Sequence, residues 1–174
     1  MAKKIVVSFT GGRGYEIPLL YFGAKHYEDL DYEKLLISHL DLEDFSFEAI
    51  LENAENIINK IDFKEYEDIV FIGKSIGTEI ACLMKEKYHI PAKLILFTPL
   101  EETLPFLKAD NDIILTVLWS KDKYIEADRL RSLCASEGIS CYIEPDVGHR
   151  MEVMNDLKRN LERVENVDGL LWKW

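Results

Sequence analysis

Ile69-Val70-Phe71-Ile72-Gly73-Lys74-Ser75-Ile76-Gly77 decides how this chain is read. Four apolar residues of strand length run into a serine held between two glycines. The residues that follow repeat with helical spacing, Ile76, Ile80, Leu83 and Met84 falling on one face. A serine hydroxyl is a poor nucleophile unless it stands on a sharp strand-to-helix turn, close to a base and beside amides that can receive negative charge. Gly73 and Gly77 suit that turn, because without Cβ atoms they let the strand and helix backbones pass close together while Ser75 is presented. A glycine-flanked serine is otherwise an ordinary turn. The strand before it and the helix after it favour the chemical reading.

Outward from this stretch, apolar runs alternate with amphipathic helical segments along the whole chain, the sequence sign of a parallel sheet covered on both faces. Strands are expected to centre on 5–9, 34–38, 69–72, 94–97, 113–119 and 140–143. Helical faces are carried by Phe47, Ile50, Leu51, Ala54, Ile57, Ile58 and Ile61, by Ile125, Leu130, Leu133 and Cys134, and by Val153, Leu157, Leu161 and Val164. Gly138 is the expected C-cap of the second of these and Pro18 a first-turn residue of a helix after the first strand. The 174 residues hold no repeat, low-complexity tract or linker, so one domain over 1–174 is expected.

In such a sheet, ligands bind beyond the carboxyl ends of the strands. Three residues that follow strands fit one reaction: Ser75 after the third, Asp122 after the fifth and His149 after the sixth. His149 lies in the turn-forming loop Pro145-Asp146-Val147-Gly148-His149-Arg150, whereas His26, His39 and His89 sit on or beside regular elements. Asp122 comes just past the apolar run at 113–119, where a carboxylate could fix the imidazole tautomer; its bland role is to favour the start of the next helix. Asp146, on the histidine's own loop, is the rival acid. Backbone amides for an oxyanion are offered by Ile76, at a helix N-terminus, and by Gly11 or Gly12 in the loop Thr10-Gly11-Gly12-Arg13-Gly14, with no sequence basis for choosing between the glycines. Arg13 and Lys74, with Lys121, Lys123 and Arg150, would put positive charge at the rim for an anionic substrate. Glu16, Glu101, Glu102 and Asp146 share those loops and make a mixed solvated rim the competing reading.

The remaining features exclude classes. A net charge of −11 is wrong for a nucleic-acid surface. No stretch is long enough to span a bilayer, and the apolar run after Lys3-Lys4 stops at Thr10-Gly11-Gly12, too soon for a signal peptide. Cys82, Cys134 and Cys141 match no metal spacing and read as buried thiols of a reduced, cytoplasmic protein. Gly73-Lys74-Ser75 copies the end of a phosphate-binding loop, but Asp68 stands where its first glycine is required, and Ile17 replaces the third glycine of a dinucleotide fingerprint opening at Gly12. Neither a metal nor a cofactor is called for. The tail Leu170-Leu171-Trp172-Lys173-Trp174 either covers an edge of its own domain or serves as a partner-binding or homodimer patch.

The elbow at 73–77, the acid in Trp119-Ser120-Lys121-Asp122-Lys123-Tyr124-Ile125 and the Gly148-His149 pair together resemble the α/β-hydrolase family over nearly the whole chain, in particular its compact serine hydrolases without a cap domain, such as the dienelactone-hydrolase-like group. The resemblance implies a reduced three-layer α/β/α sandwich of about six mostly parallel strands in order 2-1-3-4-5-6. It further implies a Ser75-Asp122-His149 triad acting on a small ester or thioester through an acyl-enzyme. Two departures accompany it. The strands that usually precede the oxyanion loop are missing, and the segment after the fourth strand is too short for a lid. A non-catalytic binding module on the same fold is the alternative.

Overall fold

The computed structural model describes residues 2–12, 18–149 and 156–171, apart from the side chains of 157 and 168. Arg13, Gly14, Glu16, Ile17, Arg150, Val153 and the end of the tail at 172–174 lie outside the described residues. Six strands form one parallel sheet: β1 (Lys3–Phe9), β2 (Glu33–Ile37), β3 (Tyr66–Lys74), β4 (Lys93–Phe97), β5 (Ile113–Trp119) and β6 (Cys141–Glu144). Their spatial order is β2-β1-β3-β4-β5-β6, as the resemblance implied.

The helices α1 (Pro18–Glu28), α2 (Phe47–Ile58), α3 (Ile76–Lys87), α4 (Ala127–Glu137) and α5 (Leu157–Leu171) cover both faces. Successive strand residues point to opposite sides, and the two cores follow that alternation. Ile5, Val7, Phe9, Ile69, Phe71, Leu94 and Leu96 pack with Ile50, Ala54 and Ile58 of α2, Ile80 and Met84 of α3, and Leu130 and Cys134 of α4. Val6, Val70, Ile72, Ile95, Phe97, Val117 and Trp119 pack with Leu19 and Leu20 of α1 and with Val164, Val167 and Leu171 of α5. Burial on both sides is why the central strands read as unbroken apolar runs rather than alternating ones.

Local signals account for several helix ends. Ser46 Oγ accepts the Ala49 N–H at 3.3 Å and starts α2. Gly138 closes α4 at φ 69°, the left-handed conformation that only glycine adopts without cost, as expected from sequence. Three expected positions are corrected, and one strand runs beyond its expected centre. Ile61 is outside α2, which turns off at Asn59 and Lys60. Ile125 is buried ahead of α4 rather than in it. Strand β3 starts at Tyr66, three residues earlier than its apolar run, because Tyr66 and Asp68 pair with Lys3 and Lys4 of β1. Leu161 is 59% exposed, and its place on the inner face of α5 is taken by Arg163 and Val164.

Between β4 and β5 the chain makes only two short 3-10 turns, Glu101–Phe106 and Ala109–Asn111. Strand order reverses between β1 and β3. The crevice at their carboxyl ends is therefore where a ligand site is expected in an open α/β sheet.

Candidate active site

Ser75 occupies that crevice. It connects β3 directly to α3 with φ 54° and ψ −126°, a strained conformation for a residue with a Cβ. The strain is held by several anchors. Ser75 N–H donates to Phe97 O at 3.0 Å, and Ser75 O accepts both the N–H and the hydroxyl of Thr78, at 2.9 and 2.7 Å. Thr78 Oγ1 is in turn 2.7 Å from Thr103 Oγ1, which ties the elbow to the segment after β4.

The flanking glycines are required by space. A Cβ on Gly73 would lie 2.6 Å from Gly77 O, and one on Gly77 would lie 2.3 Å from Phe9 O. Neither distance is compatible with a side chain. Gly11 also presses on the elbow, since its Cβ position is 3.1 Å from Lys74 O and 3.3 Å from the Ser75 Cβ, whereas Gly12 has nothing within 4 Å. Of the two candidate loop glycines, Gly11 is the one whose backbone adjoins the serine.

The three residues expected from different strand ends meet in one chain of hydrogen bonds. His149 Nε2 is 2.9 Å from Ser75 Oγ, and His149 Nδ1 is 2.7 Å from Asp122 Oδ2. Asp122 has no donor of its own when ionised, so the bond at Nδ1 assigns the imidazole proton there and leaves the Nε2 lone pair facing the hydroxyl. The carboxylate is fully enclosed, and its other oxygen, Oδ1, accepts the Tyr124 N–H at 2.9 Å. Asp122 therefore caps a local turn, not the helix, which begins at Ala127.

The loops that carry Asp122 and His149 are joined to each other. Lys121 N–H donates to Val147 O at 2.9 Å, and Asp146 N–H donates to Ser120 Oγ at 2.8 Å. Asp146, the rival acid, is turned outward. Its carboxylate pairs with Lys121 at 3.0 Å, and that partner holds it below the usual carboxylate range. Beneath the loop, Arg163 of α5 is only 3% exposed. Its Nε lies 3.4 Å from Glu144 Oε1 and its Nη2 donates to Pro145 O at 3.4 Å. This support was not anticipated. The apolar spacing Leu157, Leu161, Val164 does not pass through position 163, so periodicity carried no sign of it.

Lys74 is not a rim residue. Alternation along β3 sends it to the face of Val70 and Ile72, in register with Phe97, and it is 3% exposed. Burial pushes the pKa of its ammonium down to about 8, against the pull of the Asp122 charge. Lys121 is committed to Asp146, which leaves Lys123, its ammonium 4.7 Å from the centre of the Tyr124 ring, as the described cation of the proposed rim that has no acidic partner. Among the described residues no cluster of His, Cys, Asp and Glu could hold a metal ion, and no helix is long and apolar enough to cross a membrane. A groove of about 370 Å³ lined by Ile58, Phe63, Tyr66, Tyr88 and Pro91 lies at the opposite, amino end of the strands.

A six-stranded parallel sheet in this order, with helices on both faces and a serine elbow after β3, has the α/β-hydrolase fold. Solved structures agree along the full chain. A Xanthomonas campestris protein described as a hydrolase of the α/β superfamily matches with TM-score 0.67 at 18% identity, covering 99% of this chain and 100% of its own. An α-β serine hydrolase homologue from Coxiella burnetii gives 0.72 at 11% identity, covering 99% and 85%. An α/β hydrolase enzyme, MGS-MChE2, from a sediment metagenome of the Mar Chica lagoon in Morocco gives 0.63 at 14%, covering 99% and 90%. At these identities the likeness concerns the fold. No family model and no curated protein matches the sequence.

Proposed function

We propose that this protein is a serine hydrolase that cleaves a carboxylic ester or thioester of a small molecule through an acyl-enzyme, using a single domain without a cap. The observation that carries the reading is the continuous hydrogen-bonded series from Ser75 through His149 to Asp122, with the Nε2 lone pair directed at the hydroxyl.

His149 removes the Ser75 proton as Oγ attacks the substrate carbonyl, and Asp122 stabilises the imidazolium that forms. The tetrahedral oxyanion is received by the N–H of Ile76, which has no acceptor within the first turn of α3, and by the N–H of Gly11. His149 then passes its proton to the departing alkoxide or thiolate as the carbon–heteroatom bond breaks. Water enters, loses a proton to the same nitrogen, attacks the acyl-enzyme and releases the carboxylic acid with Ser75 restored. The open connection after β4 supports a shallow site that small acyl groups can enter.

A fluorophosphonate probe tests the assignment. Stoichiometric labelling mapped to Ser75 and lost in Ser75→Ala is expected. A wild-type protein that forms no adduct would make the fold a non-catalytic binding module, and an adduct retained by the variant would reject the nucleophile.

A further inference from the structure

Tyr124 touches both residues that activate the serine. Its N–H holds Asp122 Oδ1 at 2.9 Å, so the carboxylate presents Oδ2 to His149. Its ring packs on the imidazole itself, with centroids 4.5 Å apart and planes at 72°. Tyr124 is 46% exposed, so core packing does not explain an aromatic residue here. The Lys123 ammonium also lies over the Tyr124 ring, 4.7 Å from its centre.

The need for such a contact follows from the geometry of the base. Both hydrogen bonds of His149 lie in the imidazole plane, at Nδ1 and Nε2, and they leave tilt about the line joining those atoms weakly restrained. A near-perpendicular ring against the imidazole resists that tilt. It also covers part of the imidazole, whose side chain is 15% exposed.

We propose that Tyr124 is a positioning residue that seats the His149 imidazole in its reactive orientation through ring contact; this rests on the hydrolase reading above. The phenol hydroxyl has no part in it, and the ring acts on the base rather than on substrate. Every acyl transfer the enzyme performs therefore depends on Tyr124 to the same extent.

The test uses the full chain as wild type, Tyr124→Phe and Tyr124→Ala. Each is measured for fluorophosphonate labelling and for kcat and KM on acetate esters with phenyl, ethyl and methyl leaving groups. In Tyr124→Ala, kcat should fall about 3- to 10-fold, the worth of one edge-to-face ring contact, by a similar factor for all three esters and with KM within about twofold of wild type. Tyr124→Phe should restore kcat, and because the residue is half exposed both variants should melt close to wild type. An unchanged kcat in Tyr124→Ala overturns the proposal. So does a loss confined to KM or growing with leaving-group size, which would make the ring a substrate contact, or a Phe variant as impaired as Ala. These results leave labelled Ser75 intact. A wild type that takes no label at Ser75 overturns the hydrolase reading itself, and this inference with it.

Discussion

Replacing Gly77 with alanine should damage both stability and chemistry, through the close approach of α3 to the end of β1. The added Cβ would lie 2.3 Å from Phe9 O and 2.8 Å from Thr10 O, both backbone atoms that cannot rotate away. Reaching an ordinary contact distance requires α3 and the end of β1 to part by about 1 Å. Backbone conformation is not the issue, because Gly138 is the glycine with positive φ among the described residues. Overpacking of this kind costs about 1–3 kcal/mol, only partly offset by the higher helix propensity of alanine. For a chain of this length the melting temperature should drop by roughly 3–10 °C. The second effect is on Ser75, whose carbonyl is held by Thr78, the residue next to Gly77. A displacement of about 1 Å at the elbow should slow fluorophosphonate labelling about 100-fold. Gly169 provides the contrasting case. It lies within α5, a Cβ there meets nothing within 4 Å, and Gly169→Ala should stabilise the protein by about 0.5–1 kcal/mol with labelling unchanged. Thermal melts and labelling rates of the two variants decide the matter. A Gly77→Ala protein that melts and labels like wild type would refute the claim that strand and helix are in backbone contact around the serine.

The remaining predictions concern charge. Asp122→Asn should lower kcat by roughly 10³–10⁴ without loss of fold, since the amide can keep the Tyr124 contact but no longer holds the imidazole proton at Nδ1; Asp146→Asn should stay within about twofold, and comparable losses in the two would mean that the acid is misassigned. Lys74 should make stability rise between about pH 8 and its ordinary 10.5, because over that interval the unfolded chain keeps the proton that the folded one has released. Urea titrations of wild type and Lys74→Met at pH 7 and pH 10 should show the variant's advantage at neutral pH, up to about 3 kcal/mol, falling below about 1 kcal/mol at the higher pH. The difference between the two proteins cancels the buried Cys82 thiol, which is raised to about 12 in both, and an advantage that does not change with pH would exclude a buried ammonium.

The sheet was legible because its central strands bury both faces. Ile5 to Phe9 and Ile69 to Ile72 are continuous apolar runs, and no competing arrangement hides both sides of a strand as efficiently. The boundaries were less legible, for reasons particular to each place. Tyr66 and Asp68 belong to β3 by backbone pairing with β1, which periodicity cannot register. Ile125 continues an apolar pattern, but Asp122 consumes the residues after it in a capped turn and delays α4 to Ala127. Arg163 displaces the expected period of α5 because it can bury its guanidinium against Glu144 and the Pro145 carbonyl.

The site divides along the same line. Ser75, Asp122 and His149 could be selected from sequence because each follows a strand and the topology brings strand ends together, so position along the chain nearly fixes position in space. What surrounds them depends on the direction of a side chain, and there the charge pattern misled. Lys74 sits beside Ser75 in sequence and looks like a cation offered to substrate, yet the alternation that exposes the turn at Ser75 turns the preceding residue into the core. The same rule applied to Val70, Ile72 and Lys74 would have found this, since all three share one face. A buried ammonium there disfavours the folded state at neutral pH, and the cost falls on the strand that leads into Ser75. The elbow is thus held in place by hydrogen bonds and close backbone packing at Phe97, Thr78 and Phe9, and not by the residue at its own threshold.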